Sequence, residues 1–218
     1  GFGHAARVVE LIGALLDARP DVSVIVRTTV TPAMFEPLAG ARVELQHAAT
    51  DTGLTQRDSL TIDEQDSARR AAHFYATVDR RADDEAARLR ASAVDLVVGD
   101  IPPLAFAAAA RAGIPSVALG NFTWDWIYSV YPAFDALAPD VISIIRDAYA
   151  HATLALRLPL HGGFEPMAAV TRDIPFIARK SARDRAETRR AVGVDGSRPV
   201  VLPSFGAYGA ALPYDVLR

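Results

Sequence analysis

The pattern of apolar and polar positions in the N-terminal part of the chain predicts one helix followed by two strands. Apolar residues recur every three or four positions along residues 5–18, which indicates a helix with one buried face. Pro20 ends this pattern, and the β-branched run within 22–28 predicts a buried strand. Residues 42–47 alternate between polar and apolar types and predict a second strand, whereas the polar stretch 48–62 predicts no regular element.

The rest of the chain alternates between helical and strand-like patterns. Helices are predicted at 64–93, 103–112, 134–148 and 181–192. Strands are predicted at 95–99, 116–119, 153–158, 175–177 and 199–202, with a loop rich in proline and glycine from 159 to about 173. Strands that alternate with helices indicate a parallel sheet that is covered on both faces. The predicted fold class is therefore α/β, with a Rossmann-like doubly wound parallel sheet.

The predicted sheet lacks its first strand within this sequence. Gly1–His4 would normally form the turn that leaves a strand, so we expect that strand upstream of Gly1. The runs 22–28, 42–47 and 95–99 then become the second, third and fourth strands of a sheet with the order 3-2-1-4-5. Because a domain usually has about 100–200 residues, we expect residues 1–190 to form an N-terminal domain. Residues 191–218 would be a linker and the start of a second, truncated domain.

Composition and charge exclude several classes of function. The net charge of −3 argues against a nucleic-acid or membrane-surface binder. The absence of cysteine excludes disulfides, thiol catalysis and cysteine-ligated metal, and the five histidines show no metal-ligand spacing. The basic residues are 22 arginines and one lysine, which we interpret as genomic composition because acidic residues are interleaved with them. No apolar run could span a bilayer and no signal peptide is recognisable, so a cytoplasmic location is expected.

Sheet topology predicts where a functional site would lie. Ligands of doubly wound sheets bind at the carboxyl ends of the strands, where the strand order reverses. His4 precedes the first predicted helix and Asp100 follows the fourth strand, so both are expected at this crevice. The next strand leads to Asn121, which is followed by aromatic and polar residues. A carboxylate beside a histidine orients the imidazole, whose other nitrogen can then take a proton from a hydroxyl group.

Alternative interpretations remain open for each of these residues. His4 could bind backbone at a helix start, and Asp100 could cap the helix that begins after it. Trp124 and Trp126 could pack in the core instead of contacting a sugar. A nicotinamide site is disfavoured, because the segment Gly1–Ala6 lacks a third glycine and no acidic residue ends the second strand.

Three segments resemble a known family of domains. They are Gly-Phe-Gly-His-Ala-Ala-Arg (1–7), Asp-Leu-Val-Val-Gly-Asp (95–100) and Asn-Phe-Thr-Trp-Asp-Trp-Ile-Tyr (121–128). They are similar to the glycosyltransferase-like domain at the N-terminus of plant L-arabinokinases and related bacterial proteins, within the wider group of GT-B glycosyltransferases. The resemblance implies a cleft between two Rossmann-like domains, of which the N-terminal one binds the acceptor and the C-terminal one the nucleotide-sugar donor. It also implies that His4 is the general base and that Asp100 orients it.

The same resemblance extends these expectations to binding residues and co-substrates. Ser204 and Gly206 would approach the donor, which is expected to be a UDP-sugar, and no cofactor or metal is expected. The partners implied are a small-molecule or glycan acceptor and a fused C-terminal domain. The acceptor side would be lined by Gly3, Asn121, Thr123, Trp124 and Asp125.

The hypothesis that follows is an inverting sugar transferase, present here without most of its donor-binding domain. An alternative is a non-catalytic sugar- or nucleotide-binding module that is associated with a sugar kinase. A third hypothesis is a GT-B epimerase or hydrolase, in which the base activates a substrate hydroxyl or water.

Overall fold

Parallel strands in two sheets form the centre of the structure, a computed structural model that describes residues 2–40, 42–194, 196 and 198–202. One sheet pairs β1 (Val24–Thr28) with β2 (Val43–His47). The other sheet has the order β3 (Val97–Gly99), β4 (Ser116–Gly120), β5 (Leu154–Arg157) and β6 (Thr171–Asp173). Each strand is parallel to its neighbour. The predicted α/β class is confirmed, and the arrangement is compatible with a Rossmann-like doubly wound fold.

Helices alternate with these strands and cover them with apolar side chains. In the described ranges they are α1 (Phe2–Ala18), α2 (Glu64–Tyr75), α3 (Val78–Ala91), α4 (Pro103–Ala112), α5 (Trp124–Tyr128), α6 (Pro132–Leu137), α7 (Val141–Ala150) and α8 (Arg185–Ala191). Short 3₁₀ segments lie at Pro32–Leu38 and Glu165–Val170. The helix α1 packs on β1 in one apolar cluster, and α2 and α4–α7 pack with the larger sheet in another. None of these helices has the length and apolar character that a membrane-spanning helix requires.

The pairing of the strands follows the predicted order. The second predicted strand (β1) lies beside the third (β2), and the fourth (β3) lies beside the fifth (β4). The first strand of that order, expected upstream of Gly1, remains a prediction, and so does the domain boundary between residues 190 and 191. The helix α1 begins at Phe2, so Gly3 and His4 belong to its first turn and not to a preceding turn. Glycine adopts helical as readily as turn dihedral angles, so the local sequence could not distinguish these alternatives.

The two longest predicted helices are wrong in one respect, because each is divided. Residues 64–93 form α2 and α3, and between them the Thr77 hydroxyl donates to the carbonyl of Phe74 at 3.3 Å and accepts from Arg81 Nε at 3.0 Å. A hydroxyl that bonds locally in this way competes with the helical ladder. Residues 134–148 form α6 and α7, with Pro139 between them. Proline has no N–H and forces the preceding residue out of helical geometry, so one helix cannot continue through it.

The C-terminal part departs most from the prediction. Residues 175–177 and 199–202 form no strand, whereas β6 lies within the predicted loop. The strand β6 forms because it pairs with β5, where Arg157 Nε donates to Asp173 Oδ1 at 2.7 Å. Pairing of this kind outweighs local β propensity. The helix predicted at 181–192 is shorter because Asp184 caps it by accepting two backbone N–H groups.

Candidate functional site

His4, Arg7 and Asp100 form a polar cluster between the start of α1 and the end of β3. His4 Nδ1 lies 3.3 Å from Asp100 Oδ1. Arg7 binds the same carboxylate with two hydrogen bonds, from Nη2 to Oδ1 at 2.5 Å and from Nε to Oδ2 at 3.2 Å. The Asp100 side chain is 8% exposed and that of His4 is 29% exposed, so the imidazole is the member of the pair that a ligand can reach.

The ends of β3 and β4 position this cluster. Parallel neighbouring strands end at the same edge of a sheet, so Asp100 and Asn121 emerge beside each other. Arg7 Nη1 donates to Asn121 Oδ1 at 3.3 Å and thereby connects α1 to the ends of both strands. Glycine is required where the strands end, because a Cβ at Gly120 would lie 2.7 Å from Cγ2 of the buried Ile101.

The residue that follows Asp100 has a strained backbone. Ile101 has φ +58°, in the left-handed region that β-branched residues almost never adopt. The strain is held by complete burial of the side chain and by the Tyr149 hydroxyl, which donates to the Ile101 carbonyl at 2.8 Å. The same hydroxyl accepts the Trp124 N–H at 3.2 Å, and burial raises the pKa of Tyr149 well above its ordinary value. Strain that the surroundings maintain is typical of functional sites.

A row of aromatic rings extends from His4 into the core. The rings of His4 and Phe122 meet edge to face at 5.6 Å, and those of Phe122 and Trp124 at 5.2 Å. Trp124 continues to Tyr128, whose ring centroid lies 5.5 Å away. Edge-to-face contacts of this kind stabilise an aromatic row beyond the area that it buries. The imidazole is therefore held between a carboxylate and an aromatic ring.

A second carboxyl group, that of Asp51, lies within the electrostatic influence of His4. Burial raises the pKa of Asp51, while the charge of His4 and the side chain of Trp124 act in the opposite direction. The segment around Asp51 is anchored by Tyr128, whose hydroxyl lies 3.1 Å from Thr52 Oγ1 and donates to the Gly53 carbonyl at 3.1 Å.

The predicted binding residues fall into two groups. Gly3 and Asn121 lie with His4 and Asp100 around the cluster. Thr123, Trp124 and Asp125 lie at the start of α5, where Trp124 is 9% exposed and the other two are fully buried. Their contact with a ligand stays a prediction, and Ser204 and Gly206 lie outside the described residues.

The contacts in the structure bear on the alternative roles that the sequence allowed for Asp100, Trp124 and Trp126. The helix α4 begins at Pro103 without a side-chain cap, and the carboxylate of Asp100 binds Arg7 instead of the helix. Trp124 packs in the core, whereas Trp126 is 42% exposed and covers Gly162, where a Cβ would lie 2.5 Å from the indole ring. Asp125 accepts from Arg146 Nε at 3.0 Å, an ion pair that fixes α5 against α7.

Sequence reasoning missed Arg7 and Asp51 as members of the cluster. Arg7 carried a signal, because residues three apart on a helix share a face and Arg7 follows His4 at that spacing. Asp51 carried none, since it lies in an irregular segment. Among the described residues, no group of three or more His, Cys, Asp or Glu side chains could hold a metal ion. The chemistry that the cluster offers is proton transfer at His4, with Asp100 and Arg7 holding the imidazole and its surroundings.

Gly163→Ala is expected to displace the loop that covers Thr123. A Cβ at Gly163 would lie 2.0 Å from Thr123 Oγ1, and Gly163 has φ +81°. Because Thr123 is fully buried, it cannot move away, and we expect a loss of about 2–4 kcal/mol in the free energy of unfolding measured in urea. Gly113→Ala is the matched control, since Gly113 has φ +74° and open space around it. Equal losses in the two variants would show that the contact with Thr123 has no effect.

Asp51→Asn is expected to stabilise the fold at neutral pH. Burial raises the pKa of Asp51 above 3.8. Between 3.8 and the raised pKa, the folded state therefore binds a proton more tightly than the unfolded chain does. The free energy of unfolding consequently falls as the pH rises through this interval. Asparagine cannot ionise and avoids this penalty. Chemical denaturation at pH 7 and pH 3 should show the gain at pH 7 alone.

The control for this experiment is Asp58→Asn, which is expected to have the opposite sign. Backbone N–H groups of Leu60 and Thr61 bind Asp58 and lower its pKa, so its contribution to stability is present at neutral pH and is lost on acidification. A loss of stability at pH 7 in Asp51→Asn would contradict the assigned environment of Asp51.

The fold and this cluster define an α/β protein with a His–Asp pair at the carboxyl ends of its parallel strands. No protein-family model matches the chain. The chain is similar to the L-arabinokinase of Arabidopsis thaliana, with 34% identity over 213 residues that cover 94% of this chain and 20% of that protein. It thus spans about one fifth of the length of this curated relative, and the similarity indicates a related domain.

Proposed function

We propose that this chain is the acceptor-binding domain of an inverting, GT-B-type glycosyltransferase. The observation that carries the proposal is the 3.3 Å separation of His4 Nδ1 and Asp100 Oδ1 at the carboxyl end of β3. In this role Asp100 orients the imidazole of His4, and the other ring nitrogen is the general base. The imidazole is exposed enough to meet an acceptor, whereas Asp100 is shielded from solvent.

The proposed reaction transfers a sugar from a nucleotide-sugar donor, such as a UDP-sugar, to an acceptor hydroxyl. His4 Nε2 takes the hydroxyl proton while the acceptor oxygen forms a bond to the anomeric carbon. The bond from that carbon to the nucleotide phosphate breaks, and its electron pair leaves with the nucleoside diphosphate. Attack from the opposite side inverts the anomeric configuration.

Further residues have proposed roles around this step. Gly3, Asn121 and Trp124 would line the acceptor side. Thr123 and Asp125, which are fully buried, would support these residues from within the core. Ser204 and Gly206 would meet the donor, which a fused C-terminal domain would hold. The acceptor would be a small molecule or a glycan, and the reaction as proposed takes place in the cytoplasm without a metal ion.

A second candidate function is a non-catalytic sugar- or nucleotide-binding module that is associated with a sugar kinase. Two observations favour it. The similarity extends over one fifth of a protein whose name is that of a kinase for L-arabinose. In addition, Arg7 occupies both oxygens of Asp100, so His4 shares its carboxylate with a permanent cation.

The test is product analysis with the full-length protein that contains this chain. It would be incubated with a panel of UDP-sugars and sugar acceptors, and the products would be resolved by mass spectrometry and anomeric NMR. A product of inverted configuration supports the transferase. An epimerised or hydrolysed donor indicates the third hypothesis, and saturable sugar binding without turnover indicates the module.

A further inference from the structure

A cavity of about 340 Å³ lies beside the candidate site, between α2 and the segment that contains Asp51. Its walls include Asp51, Thr52, Arg69, Arg70, His73 and Phe74. Asp51 also belongs to the cluster around His4, whose charge affects it. Asp51 therefore links the wall of the cavity electrostatically to His4. Its volume is at the lower end of the range for small-molecule pockets, which suits a ligand of about the size of one sugar.

The cavity is lined by basic side chains from one helix. Arg69 and His73 are four residues apart in α2 and share a face, and Arg70 lies next to Arg69. Arg69 Nη2 donates to the neutral Gln65 at 3.1 Å, and Arg70 Nη1 donates to the neutral Thr55 hydroxyl at 3.3 Å. In the described part of the chain neither guanidinium forms an ion pair. Both therefore keep hydrogen-bond donors for a ligand, because a guanidinium has five N–H groups.

Several other arginines of this chain are neutralised by carboxylates. Arg111 pairs with Asp79 and Asp83, and Arg157 pairs with Asp173. At the start of α2, Asp63 accepts from Arg57 at 2.8 Å and Asp66 accepts from the Thr55 hydroxyl at 2.7 Å, while the charge of Arg69 makes a smaller contribution to the lowered pKa of Asp63. Arg69 and Arg70 thus differ from the arginines of these ion pairs.

The wall of the cavity also contains the carboxyl group of Asp51. Burial raises the pKa of Asp51, so its environment disfavours the ionised form. Phe74 of α2 also lines the cavity; it is 6% exposed, and the guanidinium of Arg81 lies over its ring at 4.4 Å from the centroid. The combination of two guanidiniums, an imidazole and one aromatic wall is typical of pockets for small anionic ligands.

We propose that this cavity is the acceptor subsite for an anionic group, a phosphate monoester or a carboxylate, on the sugar that receives the transferred residue. The proposal rests on the proposed function, because it names the chemical class of that acceptor. Arg69 and Arg70 bind the anionic group, Phe74 packs against the sugar ring, and Asp51 lies on the side that leads to His4. An acceptor held in this way directs a hydroxyl group toward the general base.

The test measures binding to the full chain by isothermal titration calorimetry, which requires no turnover. The probes are a hexose 6-phosphate, a hexuronate, inorganic phosphate and the neutral hexose. We expect at least one of the two charged sugars to bind at least tenfold more tightly than the neutral hexose, with an affinity that falls as NaCl is added. The phosphate and carboxylate probes distinguish the two sources of charge.

The variant is Arg69→Gln/Arg70→Gln, and its matched control is Arg80→Gln/Arg88→Gln, which removes two exposed charges from α3. The first should lose at least tenfold in affinity for the charged sugar, and the control should change less than twofold. Equal binding of charged and neutral sugars, or equal losses in the two variants, would overturn the proposal. Binding that persists in a protein without transferase activity would contradict the proposed function alone. Transfer to a charged acceptor that is unaffected in Arg69→Gln/Arg70→Gln would contradict the anionic subsite alone.

Discussion

Replacement of His4 by alanine is expected to reduce sugar transfer by roughly 10²–10⁴-fold, the usual contribution of a general base. The effect should lie in kcat, because the base acts on the proton that moves in the transition state. The affinity for the nucleotide-sugar donor should be unchanged, since residues other than His4 are proposed to bind the donor. Initial rates and donor titrations on the full-length protein would measure both quantities.

The control for this prediction is His151→Ala. His151 is the exposed residue that follows α7, and its loss removes an imidazole without touching the cluster. His4→Gln adds a second measurement, because glutamine retains a polar side chain near Asp100 but cannot act as a base at neutral pH. Turnover within threefold of the parent in both His4 variants would refute the role of His4, and a weaker donor affinity with unchanged kcat would assign it to binding.

The fold class could be predicted from the sequence because buried apolar residues recur at regular spacings in helices and strands. Parallel strands that are covered on both faces need continuous apolar runs, such as the run that became β1, and helices need one apolar face. The proximity of His4 and Asp100 also followed from topology, since strand order determines which carboxyl ends meet. Where the prediction was wrong, as at Thr77 and Pro139, a single residue interrupted a periodic pattern.

The rest of the cluster depended on contacts that leave no local pattern. Asp51 lies in an irregular segment, and its position is set by Tyr128 and by the Thr55 N–H, which donates to Ser67 Oγ at 2.9 Å. The strained dihedral angle of Ile101 is likewise maintained by Tyr149, which is 48 residues away along the chain. Partners at such separations follow from tertiary packing, so neither periodicity nor spacing could predict them.

Arg7→Met is expected to lower the free energy of unfolding by about 3 kcal/mol, because it removes the permanent cation that pairs with the buried carboxylate of Asp100. Asp100 is 8% exposed and Arg7 is 15% exposed, so water cannot replace the two hydrogen bonds that are lost. Methionine retains most of the apolar volume of the arginine stem and limits the effect to the charge. The measurement is equilibrium urea denaturation, which can be applied to the chain without any substrate.

Asp100→Asn and the double variant Arg7→Met/Asp100→Asn complete a thermodynamic cycle. Asparagine removes the charge that methionine leaves unpaired, so the double variant should be more stable than Arg7→Met alone, with a coupling of about 1–3 kcal/mol. The exposed pair of Arg19 and Asp21 is the control, and Arg19→Met should have little effect because both side chains are more than half exposed. Additive losses in the cycle would show that Arg7 does not stabilise the carboxylate.

The same variants separate the structural role of Arg7 from the proposed catalytic role of Asp100. If Asp100 orients His4, Asp100→Asn should lower kcat even where the protein is fully folded, because the amide no longer attracts the imidazolium that forms during proton transfer. Arg7→Met leaves that carboxylate to His4 alone, so the folded fraction should retain most of its turnover. An equal fall in kcat for both variants, after correction for the folded fraction, would mean that Arg7 and Asp100 act on His4 as one unit. It would also make the ion pair, and not the carboxylate alone, the group that orients the base.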